Sequence, residues 1–132
     1  MPQIATFLMF EGQAEEAMTF YVSLFDKACV TSLKRYGPGE GGPEGRVMLA
    51  SFALNGQSFM CIDSPAKHEF TFTPSMSVFI TCESVEEVQF LHGKLSDGGK
   101  DLMPLGEYPF SRQFAWVVDR FGVSWQIGLM DR

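Results

Sequence analysis

The sequence predicts an α+β domain in which a strand–helix–strand–strand–strand unit occurs twice. Three observations support this. The periodicity of apolar residues switches from strand to helix to strand in the same order in both halves. Placing Glu15-Glu16-Ala17 on Glu86-Glu87-Val88 also superimposes Leu24 on Leu95. Each half ends in a hairpin signal, Asn55-Gly56 and Phe121-Gly122. The 132 residues suit one domain, with repeat one over about 3–64 and repeat two over about 74–130.

The first half opens with ATFLMF (5–10), an apolar run of strand length. AEEAMTFYVSLF (14–25) follows with helical spacing, its first turn acidic at Glu15 and Glu16, where the positive end of the helix dipole favours carboxylates. CVTSLKRY (29–36) is β-branched and strand-like, whereas GPGEGGPEG (37–45) has too much glycine and proline for regular structure. RVMLASFAL (46–54) and QSFMCI (57–62) are the arms of the Asn55-Gly56 hairpin. In the second half SMSVFITC (75–82) is a strand, and Ser84 with Glu87 forms a capping box that opens a helix running to about Asp97-Gly98-Gly99. LMPL is a short strand, and FAWVVD and VSWQIGLM flank a two-residue turn at Phe121-Gly122.

Composition narrows the partners. With 45% hydrophobic and 20% charged residues the chain is globular. A net charge of -6 and a pI near 4.8 leave no basic footprint for nucleic acid or an anionic membrane. The three cysteines, Cys29, Cys61 and Cys82, are odd in number, lack CxxC spacing and fall in apolar runs, so they read as buried free thiols in a reducing cytoplasm. The N-terminal MPQIATFLMFEG has neither a basic leader nor a cleavage site, and no apolar run reaches the ~18 residues of a membrane span.

The face of the last strand occupied by Gln126 decides what chemistry the domain can hold. Side chains alternate along a strand, and opposed residues of a hairpin share a face. With a two-residue turn, the Gln126 face takes Ser124, Gly128, Val117 and Ala115, and the reverse takes Trp125, Ile127, Trp116 and Val118. In the first half Met60 is the equivalent of Gln126; its face takes Ser58, Ala53 and Ser51, with Phe59, Phe52 and Cys61 behind. Thr6 and Ser77 stand at equivalent places in the two first strands. Bulky residues on one side and small, partly polar ones on the other predict helices behind the sheet and a hollow in front of Gln126.

The repeated unit, with FYVSLF on the first helix and DRFGVSWQI at the last hairpin, resembles the vicinal oxygen chelate superfamily, which includes glyoxalase I, extradiol dioxygenases, and fosfomycin and bleomycin resistance proteins. FLMFEGQAEEAMTFYVSLF and YPFSRQFAWVVDRFGVSWQI are similar to its PhnB-like branch, often labelled 3-demethylubiquinone-9 3-methyltransferase domain. The resemblance implies a glyoxalase/bleomycin resistance/dihydroxybiphenyl dioxygenase-like fold, in which the two βαβββ repeats form a curled mixed sheet around a cavity, and a homodimer. In enzymatic members it also implies four metal ligands, typically histidine and glutamate, from the first and last strand of each half. The matching positions are Thr6 (or Ala5, one residue away), Met60, Ser77 and Gln126, none of them His, Asp or Glu. A divalent ion wants imidazole, carboxylate or thiolate donors, so no metal and no other cofactor is expected. A methyl donor of nucleotide type would want a glycine-rich turn between a strand and a helix, and the 37–45 glycines join two strands instead.

Gln126 is then a polar anchor, donating and accepting, for a small-molecule ligand. Tyr108, Ser111 and Arg112 stand at the expected rim, where Arg112 either meets an anionic ligand group or is a solvated surface arginine. His68 and His92 lie in a loop and on a helix, away from the hollow, and Cys61 points to the helix side. The expected function is a PhnB-like small-molecule-binding protein with no assigned catalytic residue. The alternatives are a metal-dependent glyoxalase- or dioxygenase-type enzyme and a resistance-type sequestering protein.

Overall fold

The computed structural model describes all residues, Met1–Arg132. The chain divides into two compact units, Met1–His68 and Glu69–Arg132. Unit 1 contains β1 (Thr6–Phe10), α1 (Ala14–Val22), β2 (Ala28–Arg35), β3 (Val47–Leu54) and β4 (Gln57–Asp63). Unit 2 contains β5 (Val78–Thr81), α2 (Val85–Leu95), β6 (Lys100–Tyr108), β7 (Ser111–Val118) and β8 (Ser124–Gly128). Each unit has a four-stranded mixed sheet of the same order, β1-β4-β3-β2 and β5-β8-β7-β6, in which first and last strands run parallel and the other pairs antiparallel. This is the predicted α+β fold of two βαβββ repeats.

In unit 1 one sheet face is covered by α1, which buries Ala14, Ala17, Met18 and Tyr21. Tyr21 meets Phe52 at 6.5 Å between ring centroids, and Phe52 stacks on Phe59 at 5.2 Å. Complete burial of such a side chain contributes about 1.5–3 kcal/mol. The helix ends at Val22, shorter than the expected 14–25, because the chain turns at Ser23, whose N–H bonds the carbonyls of Thr19 and Phe20. Its N-terminus has no side-chain cap from Gln13; instead the Asp63 carboxylate, at the end of β4, accepts from the N–H groups of Gly12 (2.7 Å) and Ala14 (3.0 Å) and from Val47 N–H (3.1 Å). Asn55 and Gly56 adopt φ of 48° and 90°, and Leu54 pairs with Gln57, so the hairpin has the two-residue turn its sequence demands.

In unit 2, α2 packs on β7 and β8 through Val88, Leu91 and Leu95. Ser84 caps the helix, its Oγ accepting from Glu87 N–H at 3.2 Å, while the Glu87 carboxylate reaches one residue past the cap and accepts from Glu83 N–H at 3.0 Å. The helix ends at Leu95 with Gly98 at φ 75° behind it. The strand at LMPL is longer than expected, Lys100–Tyr108; it is an edge strand, and the pairing slips between Met103 and Gly106, around Pro104, which has no N–H to donate.

The second hairpin differs from expectation in a way that changes the site. Asp119 N–H bonds the Val123 carbonyl at 2.9 Å, so three residues, Arg120 to Gly122, form the loop, with Gly122 at φ 95°. The buried Asp119 carboxylate holds this turn, accepting from Phe121 N–H, Val123 N–H and Trp125 Nε1–H, each at 2.9 Å. Compared with a two-residue turn the register moves by one, and Gln126 pairs with Trp116 rather than Val117. Ala115, Val117, Trp125 and Ile127 therefore point towards the helix and are buried, and Trp116 joins Gln126 on the other face.

Candidate functional site

The sheet face of unit 2 away from α2 carries Ser77, Phe79, Phe114, Trp116, Ser124 and Gln126. Phe79 lies beside Gln126 across the parallel pair, and Trp116 lies beside it across the antiparallel pair. A chain of hydrogen bonds links the polar members. Trp116 Nε1–H donates to Ser124 Oγ at 2.8 Å, Ser124 and Ser77 hydroxyls are 2.7 Å apart, and Gln126 Nε2 donates to Ser77 Oγ at 3.3 Å. Ser77 Oγ also reaches the Pro74 carbonyl at 3.4 Å. Ser124 is buried, whereas Gln126 is half-buried and its Oε1 has no hydrogen-bond partner in the chain. The amide thus presents a free acceptor beside Phe79, which is 47% exposed.

An aromatic wall adjoins this chain. Phe114 is buried, with ring centroids of Phe110 at 4.9 Å, Tyr108 at 5.8 Å and Phe79 at 6.3 Å, the first two edge to face. Gly128 makes room for it: a Cβ there would stand 2.6 Å from Phe114 Cδ2. Tyr108 OH donates to the Pro104 carbonyl at 2.6 Å. Arg112, exposed, donates from Nε to Asp131 at 2.6 Å, and that hydrogen bond holds the Asp131 carboxyl below its usual range. Ser111 Oγ, buried, donates to the Gln113 carbonyl at 2.9 Å.

Of the residues singled out by sequence, Ser77 and Gln126 are in direct contact, Tyr108 belongs to the adjoining aromatic wall, and Arg112 is an ion-paired surface residue. Met60 and Thr6 lie in unit 1, on opposite faces of its sheet. Met60 pairs with Ser51 and Phe7 on the face away from α1; Thr6 pairs with Phe59 on the helix side, which leaves Ala5 as the counterpart of Ser77. Phe7 and Phe79 are the true counterparts beside Met60 and Gln126, exposed by 53% and 47%. Trp116, Phe114 and Phe79 escaped the sequence reading; the cue for the first two was the length of the DRFG turn.

The cysteines divide. Cys61 and Cys82 are buried free thiols, as expected, and burial together with the neighbouring carboxylates, Asp63 and Glu87 respectively, pushes each up to about 12. Cys29, expected to be buried, is exposed, because β2 is an edge strand whose side chains are largely uncovered. His68 Nε2 is 2.8 Å from Ser64 Oγ, and His92 Nε2 is 2.9 Å from Asp101 Oδ1.

The donor set does not fit a divalent ion. No three His, Cys, Asp or Glu side chains cluster in a way that holds a metal, and Ser77 and Gln126 offer only neutral oxygen and nitrogen. A nucleotide-type methyl donor fits no better: the strand-to-helix turns are Glu11-Gly12-Gln13 and Cys82-Glu83-Ser84, without the glycine pattern of a phosphate cradle. No helix is long and apolar enough to cross a membrane.

Known proteins place the chain. The family described as 3-demethylubiquinone-9 3-methyltransferase matches residues 2–128. No curated protein matches. Among solved structures, the PhnB protein from Bacillus cereus is 56% identical over 97% of this chain and 99% of its own, with a TM-score of 0.94. A glyoxylase/bleomycin resistance protein/dioxygenase domain from Frankia sp. is 14% identical over 98% of each chain, with a TM-score of 0.67. The fosfomycin resistance protein FosX from Listeria monocytogenes is 11% identical over 98% of this chain and 93% of its own, with a TM-score of 0.67; these two show the fold alone. The chain belongs to the 3-demethylubiquinone-9 3-methyltransferase family, PhnB-like proteins with the glyoxalase/bleomycin resistance fold.

Proposed function

We propose that this protein binds a small amphipathic molecule on the open sheet face of unit 2, with Gln126 as its polar anchor. The observation that carries this reading is the half-buried amide, whose nitrogen is held by Ser77 while its oxygen is left free beside the exposed ring of Phe79. A polar group fixed next to uncovered aromatic surface is how small-molecule sites combine orientation with apolar contact. Ser77 and Trp116 supply the rest of the polar edge, Tyr108 the aromatic flank, and Arg112 becomes available to an anionic group only by leaving Asp131. Recognition needs neither a metal nor a methyl donor, and the residues here bind and orient without an assigned base or nucleophile.

The reading extends to a cytoplasmic homodimer, supported by three free cysteines and by an edge strand β2 that leaves Val30 and Leu33 exposed. Sedimentation tests that part. The site itself is tested by NMR titration with a fragment set of phenols, anilides and short alkyl amides. Shifts confined to the Gln126 side-chain amide, the Trp116 indole N–H and neighbours of Phe79 are expected, and Gln126→Ala abolishes them. Shifts that persist in Gln126→Ala, or that map elsewhere, contradict the assignment.

A further inference from the structure

We infer that the hydrogen-bond chain on unit 2 runs in one direction and makes the site selective for ligands that donate a hydrogen bond to Gln126. This rests on the small-molecule reading above and deepens it. Donor and acceptor arithmetic sets the direction. The Trp116 indole can only donate, so Ser124 Oγ must accept from it. At the other end Ser77 Oγ lies 3.4 Å from the Pro74 carbonyl, which can only accept, and its hydroxyl proton is directed there. The 2.7 Å Ser77–Ser124 contact is open to either donor; with the Ser77 proton on Pro74, the buried Ser124 hydroxyl donates to Ser77. Ser77 Oγ receives one bond from Ser124 and another from Gln126, which fills both lone pairs.

Gln126 is thereby oriented. Reversing its amide would set Oε1 against a hydroxyl with no proton left to give, a contact between two acceptors. Nε2 therefore faces Ser77 and Oε1 faces outward. A phenol, an N–H amide or an alcohol satisfies that oxygen; an ether, a tertiary amide or a carboxylate leaves it unpaired once the ligand excludes water. Trp116, Ser124 and Ser77 are positioning residues in this scheme, because they act on the ligand through the amide.

The test compares phenol with anisole, which keep the same ring and differ in the donor. Isothermal titration or NMR titration of the intact protein should show phenol binding about tenfold more tightly, the loss expected for one neutral hydrogen bond at a partly desolvated site. Ser77→Ala frees the amide to turn and should bring the two ligands within about threefold of each other while both still bind. The amide orientation is read separately, without ligand, from cross-peaks between the Gln126 side-chain NH2 protons and the Ser77 β-protons. Equal binding of phenol and anisole by the unchanged protein overturns the selectivity, as does a tenfold preference that survives Ser77→Ala. Absence of the cross-peaks overturns the orientation whatever binds. Cross-peaks present with no binding of either probe at the face refutes the small-molecule reading, and the ligand selectivity falls with it.

Discussion

Replacing Asp119 with alanine tests how the register of the last hairpin is set. The carboxylate is 3% exposed and accepts from two turn N–H groups and from the Trp125 indole, each at 2.9 Å. Alanine strands these donors in a site closed by Phe121, Val123 and Trp125, all buried. A buried donor without a partner costs about 1–3 kcal/mol, and entering water recovers part of that, so a loss of about 3–5 kcal/mol is expected from the three together. That is a large share of the ~5–15 kcal/mol of a whole domain, and corresponds to a fall in melting temperature on the order of 10–20 °C. Asp119→Asn keeps one acceptor oxygen for the two turn amides but points an NH2 group at the indole N–H, so it should lose about 1–3 kcal/mol. Urea denaturation monitored by circular dichroism measures both variants. A loss below about 1 kcal/mol in Asp119→Ala, with Trp125 still packed by its fluorescence, would refute the claim that this carboxylate holds the turn.

Gly128→Ala drives a methyl against the Phe114 ring, 2.6 Å from Cδ2, so chemical denaturation should show a loss of about 1–3 kcal/mol, and Gly128→Ala combined with Phe114→Leu should recover part of it. The thiols should separate by reactivity: at pH 8 iodoacetamide labels Cys29, while Cys61 and Cys82 react only after unfolding, as peptide mass mapping would show. Because the folded thiols of Cys61 and Cys82 are raised to about 12, above an ordinary value near 9, the unfolded chain gives up protons first as pH rises. Their stabilising contribution is complete below about pH 8 and is lost progressively between about 9 and 12, so the urea midpoint should fall over that interval and fall less in Cys82→Ala than in the unchanged protein.

Much of the fold is legible in the sequence because local signals and burial agree. Asn55-Gly56 demands a two-residue turn and forms one, so Ser51, Ala53, Ser58 and Met60 share a face as alternation predicts. Ser84 and Glu87 likewise mark the start of α2 unaided. The second hairpin fails the same treatment, because its turn is set by Asp119, whose carboxylate reaches a side chain six residues away, and turn length is invisible to periodicity. That single residue of register moved Trp116 onto the Gln126 face and turned an expected hollow of small side chains into a face with aromatic walls. Helix α1 shows the same limit: its cap comes from Asp63, 49 residues beyond Ala14, a partnership that no local pattern announces. Thr6 and Ala5 differ by one position, and only the pairing with β4 separates helix side from open side. Ser77 and Gln126 were legible as a pair because both sit at equivalent alternation positions on strands that run side by side.

The proposed role of Gln126, a neutral hydrogen-bonding anchor on the open face of unit 2 and not part of a metal centre, is open to direct measurement. Isothermal titration of the purified protein with zinc, nickel and manganese ions, repeated with Gln126→Ala, measures this directly. No stoichiometric binding that depends on Gln126 is expected. A one-to-one isotherm of micromolar affinity or tighter, lost on substituting Gln126, would contradict it.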